Sequence, residues 1–232
     1  MESVSGAGVV VTGSGSGIGA ALARRFVAEG ARVVVNDIDA AAAAAVATSC
    51  GATAVPGDAA TEGGVAALVG VAREVLGEID LFCANAGIAR AGGEQASEAD
   101  WSASWQVNVM AHVRAARLLL PAWLERGSGH LICTVSAAGL LTMLGSAPYS
   151  VTKHAALGFA EWLAATYAHR GITVQAICPQ GVRTPMMAGI ADGRFLILPH
   201  PEVAGMYAGR AGDPDRWLRG MNKLQRRIEA AP

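Results

Sequence analysis

Short apolar runs alternate with helix-like segments along almost the whole chain, and that alternation leaves few folds open. Residues 8–11, 32–36, 52–56, 81–84, 130–135 and 172–178 are mostly apolar and read as strands. Between them, residues 18–29, 40–49, 63–76, 101–124 and 149–169 read as helices. Strands that lack a polar alternation are buried on both faces, as a parallel sheet covered by helices requires. Repeated strand–helix–strand units build one sheet with right-handed crossovers. The expected fold class is therefore α/β: a single doubly wound domain, with a mostly parallel sheet of six to seven strands and helices on both faces. With 52% hydrophobic and 16% charged residues, a chain of 232 residues has the apolar surface for one such core.

The first strand runs into Thr12-Gly13-Ser14-Gly15-Ser16-Gly17-Ile18-Gly19 just ahead of the first helix. Glycine lets backbone approach a pyrophosphate closely, and the helix N-terminus presents unpaired N–H groups to it. Two registers fit a dinucleotide-binding, Rossmann-type turn, Gly13/Gly17/Gly19 and Gly15/Gly17/Ala20. Asp37 closes the second strand about 20 residues further on, where a carboxylate accepts hydrogen bonds from the adenosine ribose hydroxyls. The same charge repels a 2′-phosphate, and neither Ser14 nor Ile38 supplies a basic group to receive one. NAD(H) is the expected cofactor, with NADP(H) the less favoured.

Downstream, Tyr149-Ser-Val-Thr-Lys153 places a phenol and an ammonium four residues apart, on one face of a helix. A phenol with a reference pKa of about 10 is a poor proton shuttle at neutral pH. An ammonium about 4 Å away favours the phenolate by roughly 4 kcal/mol at an effective dielectric of about 20. That is the tuning a general acid/base needs.

Other chemistries find little support. A net charge of −1 gives no electrostatic case for nucleic acid or an anionic membrane. No apolar run reaches a membrane-spanning length of about 18 residues, and Met1-Glu2-Ser3-Val4-Ser5 lacks a signal-peptide head, so a cytoplasmic location is expected. Cys50, Cys83, Cys133 and Cys178 have no Cys-x-x-Cys spacing and read as buried reduced thiols. The histidines show no ligand spacing, and no metal is expected.

With these residues placed, residues 6–185 resemble the short-chain dehydrogenase/reductase family. Thr12 to Gly19 resembles its Thr-Gly-x-x-x-Gly-x-Gly turn, and Asn85-Ala86-Gly87 its Asn-Ala-Gly motif after the fourth strand. Asn108, Ser136, Tyr149 and Lys153 match its catalytic tetrad in order and spacing. The resemblance implies that Gly13, Ser16, Gly17, Ile18 and Gly19 hold the pyrophosphate, and that Asp37, Ile38, Asp58 and Ala59 surround the adenosine. It further implies Asn85, Ala86, Gly87, Tyr149, Lys153, Pro179, Val182 and Thr184 along the nicotinamide half. Tyr149 would exchange a proton with the substrate oxygen while hydride moves to or from the nicotinamide. Lys153 would hold the nicotinamide ribose and assist the phenolate. Ser136 would donate to the developing alkoxide, and Asn108 would fix a water that carries the proton onward. Ser136, Ala138, Tyr149 and Gln180 would face the substrate, an alcohol or ketone that the small apolar residues 137–143 suggest is uncharged.

The chain departs from the family pattern after residue 185. A substrate lid and a crossover helix are expected before the last strand, yet residues 195–198 already look like that strand. Three readings stay open: a drastically shortened lid, a segment absent from this chain, or a run at 195–198 that does not join the sheet in parallel. The second is preferred. Residues 1–232 then form one domain, with a core at 6–185 and a shortened or incomplete lid, last strand and C-terminal helix at 186–232. Residues 213–228 read as a basic helix carrying Trp217, Met221, Leu224 and Ile228 on one stripe. Similar proteins assemble through the helices at 101–124 and 149–169, so a homodimer or homotetramer is expected. Two functional alternatives compete with an NAD-dependent alcohol/ketone oxidoreductase. One is a cofactor-binding sensor without turnover, the other an NADPH-preferring carbonyl reductase. A serine hydrolase built on Ser136 fares poorly, because no Gly-x-Ser-x-Gly elbow surrounds it.

Overall fold

The computed structural model describes residues 3–180 and 194–229. Seven strands form one sheet in the order β3-β2-β1-β4-β5-β6-β7, and every pairing is parallel. They are β1 (Gly8–Thr12), β2 (Arg32–Asn36), β3 (Thr53–Ala54), β4 (Leu81–Ala84), β5 (Gly129–Thr134), β6 (Ile172–Ile177) and β7 (Leu196–Ile197). Period-two alternation divides the core. Val9 and Val11 pack with Leu22 and Phe26 of α1 (Gly17–Ala28) and with Val46 of α2 (Ala40–Cys50). Val10 faces the opposite layer, with Leu68 of α3 (Glu62–Leu76), Leu119 of α5 (Ala111–Arg126) and Leu163 of α6 (Ala147–Tyr167). Both sheet faces are buried, which is why the strands carry no polar alternation.

Local chemistry sets the helix boundaries. Asp39 accepts from the Ala41 and Ala42 N–H groups at the start of α2, and Thr61 accepts from Gly64 at the start of α3. Ser97 caps α4 (Glu98–Trp105) by accepting from the Asp100 N–H, so the helix begins ahead of the residue 101 that the pattern suggests. From α4 the chain passes through a π-turn, Gln106–Met110, into α5. The regular third strand is shorter than the apolar run at 52–56, although main-chain pairing continues past it, with the Val55 and Gly57 N–H groups donating to the Val35 and Asp37 carbonyls.

Beyond the sheet centre the structure narrows one open reading and adds one element. The run at 195–198 does join the sheet in parallel, with Ala176 opposite Leu196 and Ile177 opposite Ile197, which removes the third reading of this region. A helix not apparent in the sequence, α7 (Pro201–Gly212), follows it. Gly205, Gly209 and Gly212 lower its intrinsic propensity by about 1 kcal/mol each, which hides it from pattern reading. The last helix, α8 (Pro214–Glu229), packs Trp217 against the core but leaves Leu224 of the same stripe 44% exposed. No described helix is long and apolar enough to cross a membrane.

The strand order reverses between β1 and β4, so the connections leaving these two strands diverge. Their carboxyl ends therefore open a crevice at the switch point.

Candidate active site

A cavity of ≈ 510 Å³ occupies that crevice. The structure brings most of the expected residues to its wall: Gly13 and Ser16 to Gly19, Asp37, Ile38, Asp58, Ala59, Asn85 to Gly87, Tyr149, Lys153 and Pro179. Asn108, Ser136, Ala138 and Gln180 lie behind or beyond this wall and do not line it. Val182 and Thr184 lie outside the described residues.

The glycine turn resolves its own register. Gly13 has φ +60°, and a Cβ there would stand 2.7 Å from the Ala86 Cα. A Cβ on Gly19 would stand 2.3 Å from the Gly13 carbonyl oxygen and 2.6 Å from Asn85 Nδ2. Gly15 does not line the cavity, and Ala20 is buried in the core. The glycines that line the cavity are those of the Gly13/Gly17/Gly19 register. Thr12 and Asn85 brace the turn against β4. Thr12 Oγ1 donates to the Cys83 carbonyl and accepts from the Asn85 and Ala86 N–H groups, while Asn85 Nδ2 donates to the carbonyls of Thr12 and Gly13. Asn85 thus shapes the cradle with its side chain.

At the outer end, Asp37 Oδ2 accepts from the Gly15 N–H at 2.9 Å and Oδ1 from the Asp39 N–H at 3.1 Å. Each oxygen keeps a lone pair for a ligand hydroxyl. Ile38 is 74% exposed beside it and offers an apolar face to a flat ring. Ser14 is fully buried, with its hydroxyl donating to the Val11 carbonyl, so it belongs to the scaffold. Among the described residues lining the cavity, Lys153 is the one basic side chain, and it lies at the opposite end from Asp37. Asp58 Oδ1 accepts from the Ala60 N–H at 2.9 Å and fixes the turn after β3.

At the inner end, Lys153 Nζ lies 5.6 Å from the Tyr149 ring centroid. Lys153 is 3% exposed and donates to the Thr134 carbonyl at 2.9 Å. Burial pushes the Lys153 amine down to about 8, which leaves it largely protonated at neutral pH. Neighbouring Cys133 and Cys178 are pushed up to about 12 by burial and stay neutral thiols. A Cβ on Gly87 would come within 3.2 Å of the amine, so the residue keeps the approach to Lys153 open.

Ser136 ends β5. Its Oγ accepts from the Ala138 N–H at 3.1 Å and lies 3.5 Å from the Pro179 carbonyl, a weak contact that a better acceptor can replace. Asn108 sits in the π-turn, fully buried. Its Oδ1 accepts from the Ile88 N–H at 2.9 Å, and its Nδ2 donates to the Ile88 carbonyl and to Thr152 Oγ1 at 2.9 and 3.0 Å. Both Nδ2 hydrogens are engaged, and the side chain is a strut between the loop after β4 and α6. Sequence reading missed Asn36, which lines the cavity and donates to the Val55 and Gly57 carbonyls. It also missed Thr152, whose only sequence signal is its place beside Lys153.

The residues fit a dinucleotide: a cradle that an extra methyl would fill, a carboxylate for ribose hydroxyls at one end, and an amine over a phenol at the other. Comparison with known proteins agrees. The family model described as short chain dehydrogenase matches residues 7–194. The 1-deoxy-11-beta-hydroxypentalenate dehydrogenase of Streptomyces exfoliatus is 41% identical over 194 residues, covering 80% of this chain and 70% of that protein. The 2,5-dichloro-2,5-cyclohexadiene-1,4-diol dehydrogenase of Sphingobium indicum is 39% identical over 197 residues, covering 83% and 79%. Among solved structures, a short chain dehydrogenase/reductase from Burkholderia phymatum in complex with NAD superposes with a TM-score of 0.85 at 25% identity, covering 93% of this chain and 96% of that one. L-sorbose reductase from Gluconobacter frateurii, complexed with NADPH and L-sorbose, gives 0.70 at 34% identity, covering 77% and 70%. This chain belongs to the short chain dehydrogenase family and is an oxidoreductase acting on alcohol or ketone groups.

Proposed function

We propose that the chain interconverts a secondary alcohol and a ketone with NAD(H), using Tyr149 as general acid/base. The observation that carries this reading is the Lys153 amine buried 5.6 Å from the Tyr149 ring, at the far end of one cavity from Asp37. When bound, the dinucleotide supplies or accepts a hydride at its nicotinamide ring. Tyr149 holds the proton that the substrate oxygen gives up or receives. The Lys153 ammonium favours negative charge on the phenol oxygen, and its remaining N–H donors face the space beside Gly87. Ser136 exchanges its weak contact with the Pro179 carbonyl for a bond to the substrate oxygen, strongest as that oxygen becomes an alkoxide. Because both Asn108 Nδ2 hydrogens are committed to Ile88 and Thr152, the water expected here is met by acceptors of the π-turn, the second lone pair of Oδ1 or main-chain carbonyls. Such turns are frequent at functional sites. Asp37, with no basic side chain beside it in the described cavity wall, supports NAD(H) over NADP(H).

The substrate is a small uncharged alcohol or ketone, consistent with the apolar segment between Ser136 and Tyr149. A homo-oligomer is part of the reading. Val151 and Trp162 on α6 are 48% and 56% exposed, an apolar surface of the kind that a second subunit covers. The decisive experiment combines a panel of secondary alcohols with Tyr149→Phe. Turnover by the wild type, a fall in kcat of about 10²-fold or more in the variant, and unchanged NADH affinity are expected. NADH binding without turnover of any alcohol would favour the sensor, and full activity of Y149F would remove Tyr149 from its role.

A further inference from the structure

The helix hidden from sequence reading, α7, touches both segments that flank the proposed substrate position. At its start, His200 Nδ1 accepts a hydrogen bond from the Gln180 N–H at 3.1 Å. Gln180 follows Pro179, whose carbonyl is the resting partner of Ser136. At its end, Arg210 Nη1 donates to the Leu140 carbonyl and lies 3.2 Å from His154 Nε2. His154 Nδ1 is 2.9 Å from the Ser150 carbonyl, which can only accept. Nδ1 therefore carries the hydrogen, and Nε2 offers its lone pair to Arg210.

These contacts fall on one face of α7. Val203, Met206, Tyr207 and Arg210 recur at helical spacing; Val203 is fully buried, and Met206 and Tyr207 are each 37% exposed. Most of the helix is solvent-facing, so it is anchored by Val203 and by the polar contacts at its two ends. Arg210 forms no ion pair with a carboxylate among the described residues. Its donors go instead to a carbonyl of the segment following Ser136 and to the residue after Lys153. The same segment is gripped once more from α6, where Ser150 Oγ accepts from the Met143 N–H at 3.0 Å. Its far end is tied to the segment after β4, through the Gly92 N–H to the Gly145 carbonyl and Ser146 Oγ to the Arg90 carbonyl, so α7 supplies the fastener at Leu140.

We propose that α7 clamps the substrate side of the site, with Arg210 and His200 as positioning residues. Arg210 fixes the wall that follows Ser136, and His200 fixes the turn after Pro179. Neither touches the reacting atoms, and the inference rests on the roles proposed for Ser136 and Tyr149. Small displacements of positioning groups cost up to about 10²-fold in rate, so release of either fastener is read in the substrate parameters and not in cofactor affinity.

The test uses the full chain with Arg210→Met, Arg210→Lys, His200→Phe and His200→Asn. It measures NADH affinity by fluorescence, kcat and KM for an alcohol that the wild type oxidises, and amide exchange over residues 139–143. R210M is expected to lower kcat/KM for the alcohol by about tenfold or more while NADH affinity stays within about twofold. R210K, which still donates to the Leu140 carbonyl, is expected to recover most of the loss, and exchange over 139–143 to quicken in R210M alone. H200F is expected to behave like R210M in kinetics, and H200N, which keeps an acceptor, like the wild type. Unchanged kinetics in R210M and H200F, a parallel loss of NADH and alcohol affinity, or failure of R210K to rescue would overturn the clamp. If the wild type oxidises no alcohol, the proposed function fails by itself. Amide exchange then decides the clamp: faster exchange in R210M sustains it, and equal exchange ends it.

Discussion

His112 should make this protein lose stability in mild acid, and the amount follows from its surroundings. It lies on α5 one turn beyond Asn108, 1% exposed, with neither ring nitrogen hydrogen-bonded. Burial pushes its imidazole down to about 3 from an ordinary 6.5, and the nearby Lys153 charge adds to the push. The unfolded chain therefore binds a proton at this residue near pH 6.5, whereas the native state binds none until about pH 3. Stability is complete above 6.5 and falls with pH through the window below it. At pH 5 the gap of about 1.5 units, at about 1.4 kcal/mol each, amounts to roughly 2 kcal/mol. His112→Leu removes this contribution and flattens the acid limb by about that amount between pH 7 and pH 5. At pH 7 the variant should gain about 1 kcal/mol, because two unpartnered buried nitrogens disappear. Urea unfolding followed by tryptophan fluorescence at pH 7, 6 and 5 measures both quantities. His130, which burial pushes down to about 4, acts in the same direction but is present in both proteins and cancels in the difference. Parallel pH curves would refute the reasoning, as would a loss of several kcal/mol in H112L at pH 7, since the ring would then have native partners.

Three further outcomes are expected. Asn108→Ala strands the Ile88 N–H and carbonyl and frees the Thr152 contact, so unfolding should show a loss of about 3 kcal/mol besides any kinetic effect; wild-type stability would show that water replaces the amide. Gly19→Ala places a methyl 2.3 Å from the Gly13 carbonyl, and fluorescence titration should show NADH binding weakened by about tenfold or more with unchanged circular dichroism. Asp37→Ala removes charge-assisted bonds to a ribose and should weaken NAD binding by about 10- to 100-fold while changing NADP binding less. Equal losses for both cofactors would remove Asp37 from the selectivity argument.

The glycine turn, Asp37 and the Tyr149/Lys153 pair were readable because each depends on local spacing, whereas Asn85 to Gly87 came from the family resemblance. A turn between strand and helix needs its glycines within a few residues, and two groups on one helical face need a separation of four. The strands were readable for the same reason, as unbroken apolar runs for a sheet buried on both sides. Spacing left two glycine registers open; the folded chain sets Gly13, Gly17 and Gly19 in the cavity wall and keeps Gly15 and Ala20 out of it, and the Asn85–Ala86 segment that crowds Gly13 and Gly19 follows β4, far along the chain. The family resemblance implied a water at Asn108, and only the fold shows its side chain bonded to Ile88 and Thr152. The helix α7 stayed hidden because its glycines suppress the helical signal while Val203, His200 and Arg210 stabilise it through distant partners. Short-range geometry is written in neighbouring residues and survives as sequence. The struts and anchors join side chains to main-chain groups 20 to 70 residues away, and only the folded chain brings such partners within hydrogen-bonding range.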